Sequence, residues 1–339
     1  MLSVAAFTGG KDVPSARFRV RQYITVLLEH GISVDEFPAA LGCYPPGGWL
    51  RPLRPLWAAA TLATRVPSII ASWRYEVTLL QREMLSTFVT IEPLTGTPRV
   101  LDVDDAIWLH PRGHFAKKLA GLCDLVICGN SFVAENFDSW SRRIGLLPTG
   151  VDTLWYQPVD RSDPRGRLIG WCGQSGNLRY VHMWEDALHD ILDRKPDTKL
   201  LIVSDHAPRF TRIAADRVIF RKWTPEIEVS SIQQMDIGVM PLEDSLWARG
   251  KCACKMLTYM ACGVPVVVSP VGANREVLAL GKSGLAAQTQ TEVVDSVTWL
   301  LEHAEEARAM GMNGRTVVEQ HYSVRMLAPR FAAMLRSVT

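Results

Sequence analysis

The chain has 339 residues, room for two ordinary domains at roughly 100–200 residues each. It is 47% hydrophobic and 21% charged, the balance of a globular protein, and its net charge of +2 gives no reason to expect a nucleic-acid partner. No apolar run reaches the roughly 20 residues that span a bilayer. Met1-Leu-Ser-Val-Ala-Ala-Phe7 lacks a basic lead and meets Gly9 and Gly10 too soon for a secretory leader, so a cytoplasmic protein is expected.

Taken in order, apolar runs alternate with helical periods, the pattern of parallel strands joined by crossover helices. The first half predicts strands at 2–7, 32–37, 77–81, 100–103, 125–128 and 144–147, with helices near 16–30 and 53–70. Thr8, Gly9 and Gly10 follow the first strand, where glycines let the backbone approach a ligand. Arg17 and Arg19 open the first helix and are candidates for an acceptor phosphate or a donor diphosphate. Residues 49–74 hold Trp49, Trp57 and Trp73 with Arg51, Arg54, Arg65 and Arg74 and no acidic residue. That mixture suits either a membrane surface or a crossover helix with a basic solvent face.

Asp102, Asp104 and Asp105 close the fourth strand, with alternation placing Asp102 and Asp104 on one face. Carboxylates this close repel, which raises at least one pKa and suits a general base. Asp104, with Asp105 second, is the candidate; the competing reading is that one aspartate caps the next helix and another buttresses the loop. Strand 144–147 leads to the polar stretch 160–166, Asp-Arg-Ser-Asp-Pro-Arg-Gly, which reads as a linker.

A second series follows, with strands at 167–172, 199–203, 218–220, 237–240 and 264–268 and helices near 180–192, 274–280, 291–310 and 323–338. The turn Gly173-Gln-Ser-Gly-Asn177 could offer backbone N–H groups to phosphate or sugar oxygens, or be a plain strand–helix turn. Trp223 follows the third of these strands and either borders a nucleotide base or packs the loop. Lys251 and Lys255, four apart, are expected on one face at the start of a helix stopped by Gly263-Val-Pro265. Cations there oppose the helix dipole by roughly 0.3–1 kcal/mol each, so an anion is expected beside them. Gly272, Asn274 and Glu276 follow the last strand and are further donor-side candidates. The seven cysteines are odd in number and point to free thiols; Cys252, Cys254 and Cys262 lack zinc spacing and read as small core residues. Two α/β halves invite a ligand between the carboxyl ends of their sheets.

Four segments in order, Leu101-Asp-Val-Asp-Asp-Ala-Ile-Trp108, Pro148-Thr-Gly-Val-Asp152, Gly250-Lys-Cys-Ala-Cys-Lys-Met-Leu-Thr-Tyr-Met-Ala-Cys-Gly-Val-Pro265 and Ser269-Pro-Val-Gly-Ala-Asn-Arg-Glu-Val277, resemble bacterial glycosyltransferases of family 4. The resemblance implies an α/β GT-B fold, two Rossmann-like domains with parallel sheets facing a central cleft. It implies domains at 1–160 (acceptor side) and 161–322 (donor nucleotide), with 323–339 a final helix packing back on the first domain. It also implies a nucleotide diphosphate sugar donor and retention at the anomeric carbon. Many members carry two glutamates seven residues apart, where this chain has Gly250 and Thr258. The resemblance is to a subgroup lacking that pair, with the Thr258 hydroxyl left to meet a ribose and Glu243 or Asp244 to compensate.

The reading is a retaining glycosyltransferase building a bacterial surface glycan on a glycan or lipid-linked acceptor, at the inner face of the membrane if residues 49–74 bind it. Lysines at the phosphates make metal unnecessary, and Asp102-Val-Asp104 lies in the other half, so no metal or cofactor is expected. The alternatives are a sugar-nucleotide epimerase of the same architecture and a non-catalytic glycan-binding partner of a transferase.

Overall fold

A computed structural model describes residues 1–160 and 167–339. The apolar runs form two six-stranded sheets in which every strand pair is parallel. The chain divides into one unit of Met1–Gly150, Gly250–Cys252 and Val324–Thr339, and a second of Val151–Arg249 and Ala253–Ser323. The division falls ten residues before 160, because 151 to 160 group with the second unit. The linker stretch lies, apart from Asp160, outside the described residues.

The first unit runs β1 (Leu2–Thr8), α1 (Pro14–Arg19), α2 (Ile24–Glu29), β2 (Ile32–Pro38), α3 (Arg54–Ser72), β3 (Val77–Gln81), β4 (Arg99–Val103), α4 (His114–Gly121), β5 (Leu125–Cys128), α5 (Ser131–Asp138) and β6 (Ile144–Leu146). Its strand order is β2-β1-β3-β4-β5-β6, which reverses between β1 and β3. Alternation splits β4: Val100 joins a core with Val4, Tyr23 and Leu27, while Leu101 and Val103 join Phe7, Leu80, Phe115 and Phe137 on the other face. Leu327, Phe331 and Leu335, one stripe of the final helix, complete the first of these cores. Each such buried side chain contributes about 1.5–3 kcal/mol.

The expected helix 16–30 is two short helices. Val20 leaves the helical region at φ −128° and a 3-10 turn Arg21–Tyr23 intervenes, which lets Arg19 and Tyr23 both point into the core.

The second unit runs β7 (Leu168–Cys172), α6 (Leu178–His182), α7 (Glu185–Arg194), β8 (Lys199–Ser204), β9 (Val218–Lys222), α8 (Pro225–Ile232), β10 (Ile237–Met240), α9 (Leu246–Arg249), α10 (Cys254–Ala261), β11 (Val266–Val268), α11 (Ala273–Leu278), β12 (Gly284–Ala286), α12 (Gln290–Glu302) and α13 (Ala304–Val317). The order β12-β11-β10-β7-β8-β9 is a Rossmann winding that reverses between β7 and β10. Trp171, Leu188, Ile202, Val239 and Val297 share its core. Helix 180–192 is broken at buried Trp184, and helix 291–310 at His303. The strand expected from Val264 begins at Val266, since Pro265 has no N–H and Gly263 is left-handed at φ +69°. β12 escaped the sequence reading because three residues at a sheet edge carry no period. The final helix is α14 (Val324–Arg336), of the first unit.

The seven cysteines are reduced thiols, six of them buried. Among the described residues no group of three or more His, Cys, Asp or Glu could hold a metal ion. No helix among them is long and apolar enough to cross a membrane.

Candidate functional site

Ligands of open α/β sheets bind outside the carboxyl ends of the strands, where the strand order reverses. In the first unit those ends are Gly9 and Gly10 after β1 and Arg82 and Glu83 after β3. A Cβ on Gly9 would lie 2.9 Å from the Cys43 sulfur, and Gly10 sits at φ +144°, so both positions need glycine for the loop packing alone. Arg82 adopts φ +62°, uncommon for a side chain of its size, and its N–H donates to the Asp102 carbonyl at 3.0 Å.

The three aspartates separate in role. Asp102 is fully buried and grips Arg19, whose Nη2 and Nε lie 2.6 and 3.0 Å from its oxygens; Arg19 Nη1 donates to the Leu147 carbonyl at 2.8 Å. Arg19 is therefore a structural cation, not the phosphate ligand expected of it. Truncating one member of such a pair strands the other charge, so Arg19→Leu should cost roughly 3–5 kcal/mol in urea unfolding. Arg17 is half-buried in the last turn of α1 rather than at a helix start, its guanidinium 4.5 Å from the Phe18 ring centroid. None of the three caps the elements that follow: the 3-10 turn Ile107–Leu109 and α4 both start without a side-chain cap.

Asp104 lies just past β4. Its Oδ1 is buried and has no hydrogen-bond partner among the described residues. Burial first, and then the neighbouring Asp105, push its carboxyl up to about 7 against the pull of Arg82. Asp105 is half-buried with Arg82 Nη1 at 3.6 Å. Two carboxyls one residue apart thus sit in different environments, one poised to take a proton near neutrality.

Gly250–Cys252 pack on the same strand ends, which the sequence did not reveal. A Cβ on Gly250 would lie 2.6 Å from the Ala106 Cβ and 2.7 Å from its nitrogen, so no glutamate fits where many family members place one. Asn130 caps α5 by accepting from Val133 N–H at 2.8 Å, and its Nδ2 donates to the Lys251 carbonyl at 3.1 Å. The Cys252 thiol donates to the Asp104 carbonyl at 3.1 Å. Lys251 lies in the loop before α10, off the helix, and the shared helical face expected for Lys251 and Lys255 does not exist. Ala253 turns left-handed at φ +53° before α10 begins, a break that a run of small residues conceals. Asn130, Arg82, Gln81 and Glu83 were missed as candidates; their signal was position, directly past strand ends.

In the second unit, α10 is pinned to the end of β7. Tyr259 packs against Gly238 and its hydroxyl accepts from Cys172 N–H at 2.8 Å. Lys255, one turn earlier on the same face, crosses Gly173: a Cβ there would lie 2.4 Å from the Lys255 Cε. Its ammonium lies 5.7 Å from the Trp171 ring centroid. The structure thus brings Lys255 and Gly173 together at the strand-order reversal.

The other donor-side candidates are largely engaged. Thr258 is buried, its hydroxyl donating to the Lys255 carbonyl at 2.8 Å. The N–H groups of Gly173, Ser175 and Asn177 are given to Val203, Asp205 and Gln174, so the turn offers less to an anion than its glycines suggest. Burial opposes ionisation of Asp205, but hydrogen bonds from Ser175 and His206 hold its carboxyl down to about 2. Gly272 takes φ +54° where a Cβ would lie 2.7 Å from the Arg249 carbonyl, and Asn274 is buried with Nδ2 on the Ser269 carbonyl at 3.0 Å. Both are thus engaged in the turn itself. Glu276 is exposed on α11. Arg179 opens α6 with Nη2 on the Tyr180 hydroxyl at 2.7 Å and Glu243 at 3.6 Å, and Arg249 holds Asp244 at 2.7 Å. Trp223 is half-buried, its N–H on the Ser204 carbonyl at 2.8 Å.

Residues 166–303 match the family model described as Glycosyl transferases group 1. The chain is 25% identical over 206 residues to D-inositol 3-phosphate glycosyltransferase of Corynebacterium urealyticum, a match covering 52% of this chain and 47% of that one. It is 27% identical over 253 residues to GDP-mannose-dependent alpha-(1-6)-phosphatidylinositol monomannoside mannosyltransferase of Mycolicibacterium smegmatis, covering 65% and 64%. The chain thus spans about half to two thirds of the length of these relatives. Sucrose-phosphate synthase of Thermosynechococcus elongatus superposes with a TM-score of 0.71 at 18% identity, covering 99% of each chain. Anabaena HepE, solved in complex with UDP and glucose, gives 0.69 at 17% identity, covering 99% of this chain and 100% of that one. The fold is that of the GT-B glycosyltransferases.

Proposed function

From the premise that the chain carries a glycosyl transferases group 1 domain, we propose that it moves a sugar from a nucleotide diphosphate donor to an acceptor hydroxyl with retention, in bacterial surface-glycan biosynthesis. The observation that carries this is Lys255, held over Gly173 in the first turn of α10, where the helix dipole disfavours a cation and a diphosphate restores the balance. Charge builds on the departing phosphate during transfer, so a fixed cation there stabilises the transition state more than the ground state, with no metal required. The UDP in HepE and the GDP-mannose in the mannosyltransferase's name support a nucleotide sugar donor. Incubation with UDP-, GDP- and ADP-sugars tests the class. Slow release of nucleoside diphosphate, with an α-linked product by NMR from an α-linked donor, is expected. An isomerised sugar nucleotide would instead mean an epimerase, and donor binding without turnover a glycan-binding partner.

The acceptor side carries a second proposal, contact with a lipid surface. Along α3 the residues Leu56, Ala59, Ala63, Val66, Ile70 and Trp73, with Leu53 just before it, form one exposed stripe at helical spacing, and Trp49 is 86% exposed. No acidic residue occurs between Glu36 and Glu76. Arg65 does not contribute, because it is buried: it donates to the Phe37 and Thr8 carbonyls at 2.8 and 2.7 Å, and burial lowers its pKa to about 10. Arg51, Arg54 and Arg74 remain outside, each worth about 1 kcal/mol near an anionic surface at low salt. The protein should pellet with phosphatidylglycerol vesicles at low salt and leave them at high salt, and Arg51→Glu with Arg54→Glu should abolish pelleting. A wild type that stays in the supernatant with anionic and neutral vesicles alike makes α3 an ordinary crossover and favours a soluble acceptor.

A further inference from the structure

Two side chains at the β1/β3 reversal are buried with unmet hydrogen-bonding atoms. Gln81 is 3% exposed; its Oε1 accepts from the Ser15 hydroxyl at 3.5 Å, which leaves Nε2 without a partner among the described residues. Glu83 is 4% exposed; its Oε1 accepts from Thr87 N–H and Arg82 Nη2, both at 3.4 Å, while Oε2 has none. Asp104 adds the unpartnered Oδ1 from the neighbouring strand end, and Gln81 faces Asp102 in the β3–β4 register. A buried unpaired polar atom costs about 1–3 kcal/mol, so three such atoms on adjoining strand ends mark a place where a ligand supplies the partners. The left-handed Arg82 between Gln81 and Glu83 is the second sign, since strain of this kind gathers at binding sites.

The chemistry of the three atoms differs. Gln81 Nε2 donates; Glu83 Oε2 and an ionised Asp104 Oδ1 accept. A hydroxyl both donates and accepts, so vicinal sugar hydroxyls satisfy all three, whereas a phosphate dianion only accepts and would face two carboxylates. Of the nearby cations, Arg82 lies between Glu83 and Asp105 and Arg19 on Asp102, while Arg65 gives both Nη atoms to backbone carbonyls and keeps a buried Nε without a partner among the described residues. His110 faces the same group, and burial and Arg82 disfavour its protonated form.

We propose that Gln81 and Glu83, beside Asp104, form a subsite for an uncharged, hydroxyl-rich sugar acceptor that rejects a phosphate at that position; the proposal rests on the transferase reading. Saturation-transfer NMR on the whole protein with UDP or GDP present tests it, using methyl α-D-mannopyranoside and methyl α-D-glucopyranoside against their 6-phosphates. The neutral glycosides should bind at least 10-fold tighter than the phosphates. Gln81→Leu and Glu83→Gln should each weaken the neutral glycoside at least 10-fold with nucleotide affinity unchanged, and Glu83→Lys should narrow the gap between neutral and phosphorylated forms. Equal or tighter phosphate binding, no glycoside binding, or variants that bind the glycoside as the wild type does would overturn the subsite. The same tubes report nucleotide binding, so a protein that binds UDP or GDP but fails these tests loses only the subsite, and one that binds no nucleotide loses the transferase reading as well.

Discussion

Asp104→Asn should lose roughly 100-fold or more in transfer rate while donor affinity holds, the scale of general-base work. The wild-type rate should rise with pH through about 7 and level off above it, because only the ionised carboxyl accepts a proton and burial beside Asp105 places its pKa there. The asparagine variant should lose that limb. Stability moves the opposite way. The folded pKa lies above the unfolded value near 4, so the folded state holds the proton more tightly. The stability this confers is fully present below about pH 4 and is lost as pH rises to about 7. Asparagine removes the charge without the burial penalty, so the variant should melt higher than wild type above pH 7 while turning over more slowly. Near-native turnover in the variant would move the role to Asp105 or to the departing phosphate of the donor.

Most of the fold was legible because the central strands, buried on both faces, are short continuous apolar runs; all eleven expected strands are present, although β2, β6 and β9 are only partly buried. The breaks at Val20 and Trp184 share a cause: they depend on which side chain must reach the core, and periodicity does not encode that. Arg19 shows the same limit. At what reads in the sequence as a helix start, Arg19 resembles a phosphate ligand; in the structure it ends α1, and only the position of Asp102 in space reveals the ion pair.

The site was legible as chemistry more than as geometry. The three aspartates were found together, but their division into a buried structural anion and a poised acid needed the surroundings of each. Spacing alone put Lys251 and Lys255 on one helix face; left-handed Ala253 and the hold of Asn130 on the Lys251 carbonyl undo that. The glycine at position 250 read as a missing glutamate. It is better understood as the residue that lets the chain lie on Ala106.

Lys255→Ala should weaken UDP or GDP binding by about 1.5–3 kcal/mol, the worth of a charged hydrogen bond, or about 10- to 150-fold in Kd. Lys251→Ala should cost less than Lys255→Ala, because Lys251 lies in a loop whose carbonyl is already held by Asn130, not in the first turn of α10. Gly173→Ala separates charge from position: it keeps every cation but puts a Cβ 2.4 Å from the Lys255 Cε and 3.0 Å from the Trp171 ring, so the lysine must leave its path across the strand end. Calorimetry should therefore find Gly173→Ala closer to Lys255→Ala than to wild type, with the double variant little worse than either alone, as coupled neighbours behave. Full additivity of the two losses would mean that Gly173 meets the nucleotide through its own backbone, and unchanged affinity in Lys255→Ala would remove the cation from the donor site.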